Sequence, residues 1–201
     1  MSNDDYKNTL VKVLHEYIGG SIKQVTGIVE DKLKLYRFKK QLEILDETKR
    51  ILTERGEEAP SRYVPMNVMI PLMEAASLEE DDYLRAKWSG LLANCADKNA
   101  SSSAKRSYVS ILENLTQLDA QILDVIAAAA IDNPDKPNVN ISEMGSDLNV
   151  SGATSFTIES STNNLLRLGL LYTDNPFSPK PINLQISALG MEFYSMCSKN
   201  A

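Results

Sequence analysis

Histidine and cysteine are scarce in this chain: it has one histidine and two cysteines among 201 residues. A histidine-based catalytic triad or an ordinary His/Cys zinc site cannot be assembled from His15, Cys95 and Cys197. The two thiols are too few for a disulfide framework and lack CxxC spacing, so both are expected to be buried and reduced. The phosphate-binding patterns GxxxxGK[ST] and GxGxxG are also missing. The sequence therefore predicts no catalytic residue, no metal and no cofactor, although an enzyme that uses only carboxylates, lysine or tyrosine stays open.

Long apolar runs are missing as well. No stretch approaches the ~20 residues that a membrane span needs. The opening residues, MSNDDYKNTL, lack the basic start and apolar segment of a secretory signal. Hydrophobic residues make up 43% of the chain and charged residues 24%, which is enough apolar material for a core. We expect a soluble, cytoplasmic protein with no membrane span.

Positive charge is sparse only in the second half of the chain. The net charge is -6, and residues 107–201 hold four Lys or Arg against ten Asp or Glu, whereas the residues before them are balanced. Nucleic-acid binding draws most of its affinity from cations that neutralise phosphates. This distribution argues against nucleic acid as the partner of residues 107–201.

The first third has the apolar spacing of helices. One helix is predicted over residues 4–18, stopped by Gly19 and Gly20, and a long one from Ile22 to Arg55, about 50 Å in length. One stripe of this helix is formed by Leu35, Phe38, Leu42, Leu45 and Leu52. The helix is too long for one side of a small domain. Three arrangements are possible: the helix packs on its own domain, it pairs with a second copy, or it lies on a membrane surface as a basic helix. The acidic residues between its lysines count against the membrane arrangement, because an anionic surface would repel them. We predict a homodimer through the stripe.

The segment SLEEDDYLRAKWSGLLANCAD places four carboxylates, Glu79 to Asp82, before the only tryptophan. Pro71 is predicted near the start of a short preceding helix. Ser77 and Glu80 have the S-x-x-E spacing of a capping box, and acids in a first turn interact favourably with the helix dipole. Leu84, Trp88 and the apolar residues after them share one helical face. The acidic run is therefore interpreted as a helix start rather than an active site, with Trp88 in the core.

A serine-rich connection, DKNASSSAKRS at 97–107, marks the predicted domain boundary. Residues 1–100 are predicted to form a helical domain with the long helix, and residues 105–201 a winged-helix-like domain with a small β-hairpin. In the second domain, helices are predicted before a loop at 132–140, at 141–150, and from there to Arg167, with a stop at Gly169. Two strands are predicted at 170–172 and 182–186, followed by a last helix that Ser187 caps. The fold class is mainly α.

The helix at 155–167 is the one that would enter a DNA groove. Asn163 or Asn164 has the amide needed to pair with an adenine edge. The helix offers one cation, Arg167, beside one anion, Glu159, and phosphate contacts must position such a helix before bases are read. Glu159, Asn163 and Arg167 are therefore predicted to form a partner surface for a protein, with a DNA-binding transcriptional regulator as the alternative.

Several segments resemble the abortive-infection alpha (Abi-alpha) family of bacterial and phage-associated proteins. They are VPMNVMIPLMEAASLEEDDYLRAKWSGLLANCAD, SYVSILENLTQLDAQIL, NLLRLGLLY and ISALG. The resemblance implies a role in bacterial defence against phage, in which the infected cell is sacrificed or arrested. It brings no catalytic residues. With the charge pattern it favours a non-enzymatic interaction protein whose partner is an unknown host or phage protein.

Overall fold

A computed structural model describes Lys12 and residues 35–100, 102–134, 139–140, 154–174 and 183–199. Within these ranges the protein has seven helices and one small sheet, so the predicted mainly α class is confirmed. In chain order the elements are α1 (Leu35–Glu54), α2 (Met66–Ala76), α3 (Asp82–Ala96), α4 (Arg106–Glu113), α5 (Gln117–Asp132), β1 (Val139–Asn140), α6 (Ser155–Arg167), β2 (Leu171–Thr173), β3 (Asn183–Ile186) and α7 (Ala188–Cys197). None of the described helices is long and apolar enough to cross a membrane.

The described residues form two compact units. The first contains those up to Ser110 and those from Met196 onwards, and the second runs from Ile111 to Ser195. The division therefore falls inside α4 and inside α7. The predicted domain limits, 1–100 and 105–201, stay a prediction, because compactness alone does not test whether a segment folds independently.

In the first unit, α1 packs against α3 and α2. The long predicted helix is described from Leu35 onwards, and its end near Arg55 is confirmed. Gly56 has φ +83° and follows the helix as its stop. The amide of Gly56 donates to Thr53 O at 2.9 Å and that of Glu57 to Leu52 O at 2.9 Å, which is a Schellman motif. The predicted helix over 4–18 lies outside the described residues except Lys12, which is helical and exposed.

The apolar stripe of α1 is largely covered by the protein's own chain. Phe38, Leu45 and Leu52 are buried. Leu42 is half-buried, and the side chain of Leu35 lies outside the described residues. The protein's own chain therefore already buries three of the five side chains of the stripe. Self-association stays a prediction, but the length of the helix no longer argues for it at these three positions.

The acidic run begins a helix, as predicted, but at a later residue. The N-cap of α3 is Asp81, whose Oδ1 accepts from the Leu84 amide at 2.9 Å, and Glu79 accepts from the Asp81 amide at 3.0 Å. The predicted capping box of Ser77 and Glu80 is wrong, because Ser77 ends α2 instead. Its hydroxyl donates to Glu74 O at 2.7 Å and accepts from Arg37 Nε at 3.0 Å.

Pro71 was expected near a helix start, and this is also wrong: it lies inside α2, which begins at Met66. Proline in a helix interior loses one backbone hydrogen bond and is unfavourable. The helix nevertheless buries Val68, Met69, Leu72, Met73 and Ala76. Burial of this apolar face offsets the lost bond.

Replacing Asp81 by alanine is expected to lower the free energy of unfolding by about 1 kcal/mol, because the Leu84 amide loses its acceptor. The matched control is Glu80→Ala, an exposed carboxylate one residue away, with an expected change below about 0.5 kcal/mol. Urea denaturation measures both. Equal losses at the two positions would restore the helix start at Ser77.

In the second unit, α5 packs against α6 and β3. The sheet has the order β1-β3-β2 with antiparallel pairs, such as Leu171 with Ile186 and Val139 with Leu184. The two predicted strands are confirmed as β2 and β3. The prediction of a loop through Asn140 is wrong at its last two residues, since they pair with β3. The predicted helix at 141–150 lies outside the described residues.

Two local signals in the second unit are confirmed. Gly169, with φ +73°, ends α6, and the Leu170 amide closes the turn by donating to Leu165 O at 3.0 Å. Ser187 caps α7, since its hydroxyl accepts from the Gly190 amide at 2.9 Å. These contacts fix where α6 and α7 stop and start.

Candidate functional site

One face of α6 is directed to solvent. Ile158, Ser161, Thr162 and Leu165 are buried on the opposite side. We define the α6 outer face as Phe156, Glu159, Ser160, Asn163 and Arg167, whose spacing places them along one side of the helix. Asn163 and Arg167 are exposed, and Glu159 is partly exposed. The structure therefore places the three predicted partner-surface residues on the same face.

Phe156 is the functional candidate that the sequence interpretation missed. Its side chain is 78% exposed, the highest value among the exposed large hydrophobic side chains of the described residues. A signal was present, because position 156 does not follow the spacing of the buried residues Ile158, Thr162 and Leu165. A large exposed aromatic side chain on a helix is the type of residue that dominates binding energy when a partner covers it.

The helix is fixed by polar contacts at both ends. At its start the Thr154 hydroxyl accepts from the Thr157 amide at 3.2 Å, and the Thr157 hydroxyl accepts from the Thr154 amide at 2.8 Å. Near its end Asn164 Nδ2 donates to Asn114 O at 2.9 Å and to Asp119 Oδ2 at 3.0 Å. The two Asn164 contacts join α6 to the residues around the start of α5. A face held this way is preorganised, so less entropy is lost when it binds.

Asp119, which accepts a hydrogen bond from Asn164, is itself held in place by further hydrogen bonds. It is buried, and its carboxylate also accepts from the Thr116 amide at 2.8 Å, while its own amide donates to the Thr116 hydroxyl at 3.2 Å. The same carboxylate therefore caps α5 and holds Asn164. A buried carboxylate is tolerated because these donors satisfy it.

The polar contacts also restrict the DNA-reading hypothesis. Arg167 donates from Nε and Nη2 to Asn164 Oδ1 at 3.2 and 2.8 Å. Both ends of the Asn164 amide are therefore engaged within the protein, so the predicted contact of Asn164 with an adenine edge, which stays a prediction, requires that these bonds be exchanged. Asn163 remains exposed on the α6 outer face.

A second polar region is a groove between α1 and α3 in the first unit. Its volume is about 240 Å³, and it is lined by Glu43, Ile44, Glu47, Asp82, Arg85, Ala86 and Ser89. Arg85 pairs with Glu43 at 3.3 Å and with Asp82. Hydrogen bonds from Arg50 and then Lys199, against the opposing effect of partial burial, lower the pKa of Glu47 to about 2. Glu43, Asp82 and Glu47 therefore already have cationic partners within the chain.

The carboxylates of this groove are not arranged as a metal centre. In the described part of the chain, no three His, Cys, Asp or Glu side chains are grouped so that they can hold a metal ion. Of the acidic run, Glu79 and Asp81 serve the start of α3, and Asp82 pairs with Arg85. His15 lies outside the described residues.

One family of known proteins matches this chain. The family model described as abortive infection alpha matches residues 34–187, which is more than half of the chain. The chain belongs to the abortive infection alpha family. Neither a curated protein nor a solved structure gives a match. The match includes the whole α6 outer face and ends at Ser187, immediately before α7.

Proposed function

We propose that the protein is a non-enzymatic interaction protein of abortive-infection defence, and that it acts through a protein contact made by the α6 outer face. Membership of the family supports the defence role. The observation that carries the mechanism is Phe156, 78% exposed on a helix that Asn164 anchors to α5. We place this activity in the cytoplasm, where an arriving phage genome is expressed.

Charge favours a particular chemistry for the partner. Residues 107–201 hold four basic against ten acidic side chains. Opposite charges on two surfaces steer encounter and suppress wrong partners. The proposed partner is a host or phage protein with an apolar pocket that receives Phe156, an acidic group that meets Arg167, and basic groups that meet Glu159 and the acidic residues around the face. Phe156 and Arg167 are eleven residues apart, or about 16 Å along the helix, so the contact spans several turns.

The test compares phage protection by cells that produce wild-type protein, Phe156→Ser or Ile131→Ser. Ile131 is the matched control, since it is a 55% exposed apolar residue of the same unit but lies on α5. Phe156→Ser is expected to reduce protection at least about tenfold, as loss of a central aromatic contact does, with an unchanged melting temperature. Ile131→Ser should protect like wild type. Full protection by Phe156→Ser would exclude the α6 outer face as the contact.

The alternative is a winged-helix transcriptional regulator that binds DNA. Two observations favour it: α6 is followed directly by the β2–β3 pair, in the order of a helix and its wing, and Asn163 is exposed on α6. We infer a winged-helix-like second unit under either function. Duplex DNA of random sequence at low salt separates the two, because a regulator binds it at micromolar concentration or below, with steep weakening as salt rises.

A further inference from the structure

Residues Met196–Lys199 lie in the first unit, where side chains from other elements hold their main-chain carbonyls. Asn94 Nδ2 donates to Met196 O at 2.9 Å and to Ser198 O at 3.0 Å. Arg55 Nη2 donates to Lys199 O at 2.7 Å and to Ser198 O at 3.5 Å. We name residues 196–199 the carbonyl latch and the pair Arg55 and Asn94 its clasp.

The contact between Asn94 and Met196 O satisfies a carbonyl at the end of a helix. The last carbonyls of a helix have no partner within it, and they form the negative end of the helix dipole. α7 ends at Cys197, so Met196 O is such a carbonyl and the Asn94 amide binds it, whereas Arg55 binds the carbonyls of Ser198 and Lys199 just beyond the helix. The only side chain of the latch with an ion pair is Lys199, whose Nζ lies 2.6 Å from Glu47 Oε1. The clasp thus recognises main chain rather than a particular sequence.

Gly90 of α3 allows the latch to approach closely. A Cβ atom at this position would lie 2.5 Å from Cys197 O and 3.0 Å from Cys197 C, closer than side-chain carbons come to backbone atoms. Glycine is otherwise unfavourable inside a helix compared with alanine. Glycine at position 90 therefore allows the close approach of the docked latch, although alanine would stabilise α3 more.

Arg55 and Glu47, the two charged residues that contact the latch, each have a further partner outside the latch. Arg55 Nη1 donates to Asn94 Oδ1 at 2.8 Å and to Asp97 Oδ2 at 3.3 Å. Glu47 also pairs with Arg50 at 2.6 Å. When the latch leaves, Arg55 and Glu47 keep these partners and Lys199 enters water. Departure therefore avoids the large penalty of leaving a buried charge uncompensated.

From these contacts we propose that the carbonyl latch opens and closes on the first unit while α1 and α3 stay folded, as a conformational switch of the protein. Opening exposes the clasp, Gly90 and the carboxylate of Glu47. The closed state is the one in which Met196 and Cys197 are buried. This inference is independent of the proposed contact at α6, because every group that it uses belongs to the first unit.

Two buried thiols provide the measurement. Cys197 belongs to the latch, whereas Cys95 belongs to α3 beside the clasp, and both are free and buried. Alkylation of the full chain under native conditions, followed by mass spectrometry of the two cysteine peptides, gives an opening rate for each. A latch that opens locally makes Cys197 react faster than Cys95 in the wild-type protein.

Two substitutions should open the latch by different means. Gly90→Ala places a methyl group against Cys197 O but favours helix α3, and Arg55→Gln removes the guanidinium of the clasp. Each is expected to accelerate Cys197 labelling about 10- to 100-fold while Cys95 changes less than about threefold. The matched control is Arg37→Gln, because Arg37 is an arginine of α1, the helix that Arg55 directly follows, and it donates to Ser77 Oγ and Glu74 O instead of the latch. Its Cys197 rate should equal that of wild type.

Three results would overturn the proposal. If both thiols accelerate by the same factor, residues 196–199 are an inseparable part of the core. An unchanged Cys197 rate in both substitutions would show that the clasp does not hold the segment. Loss of folding in both Gly90→Ala and Arg55→Gln, judged by circular dichroism, would equally show that the first unit does not exist without its latch.

Discussion

Replacement of Trp88 by alanine is expected to lower the free energy of unfolding by about 3 to 5 kcal/mol. Trp88 lies on α3 and is 1% exposed, among the largest fully buried side chains. Alanine removes most of its apolar contacts and leaves a cavity that the packed neighbours fill only in part. A small protein has about 5 to 15 kcal/mol of stability in total, so this loss should be evident in expression and in urea denaturation.

The matched control is Trp88→Phe. The indole Nε1 is buried without an acceptor among the described residues, so phenylalanine removes an unsatisfied donor while it keeps an aromatic ring in place. The expected loss is below about 1.5 kcal/mol. If Trp88→Ala folds normally and fails only in phage defence, the residue is functional and its assignment to the core has to be abandoned.

Leu45→Glu is expected to unfold the first unit, whereas Leu42→Glu should leave it folded. Leu45 is 1% exposed, and an ionised carboxylate placed there costs several kcal/mol in desolvation. Leu42 is half-buried on the same helix, so a glutamate can reach water and costs about 1 kcal/mol. Circular dichroism during heating measures both. A Leu45→Glu protein with wild-type melting would contradict the burial of the stripe.

The same two variants sharpen the question of a homodimer. Light scattering at micromolar concentration gives the mass of the wild-type protein, and Leu42→Glu then tests the stripe without destroying its core. A dimer that Leu42→Glu dissociates would support self-association through α1. A wild-type protein that stays monomeric would mean that the stripe serves only its own chain.

The features that the sequence predicted well depend on local chemistry. Glycine after an apolar repeat marks the ends of α1 and α6, because a residue with positive φ is needed there. Ser187 before α7 is similarly local, since its hydroxyl bonds three residues ahead. The burial of Trp88 follows from helical spacing alone. In each case the deciding interaction joins residues within one or two turns.

The features that were missed depend on contacts between distant residues or on competing local signals. Ser77 has capping-box spacing, but α2 continues to Ala76 because its apolar face is buried, so Ser77 ends that helix instead. Val139 is extended because β3, more than forty residues later, pairs with it. Asn94 carries no motif that indicates its role. Its partner carbonyl belongs to a residue 102 positions away, and no local pattern encodes such a contact.

The separation of 102 residues between Asn94 and Met196 also sets an interval during translation. A ribosome adds about 5 to 20 residues per second, so roughly 5 to 20 s pass between the synthesis of the two. The second unit, continuous from Ile111 to Ser195, is translated entirely within this interval. We expect it to finish folding first, which reverses the usual order in which the earlier part of a nascent chain matures before the later part. Until Met196 and Ser198 are synthesised, Asn94 Nδ2 lacks the two carbonyl acceptors that it has in the folded protein.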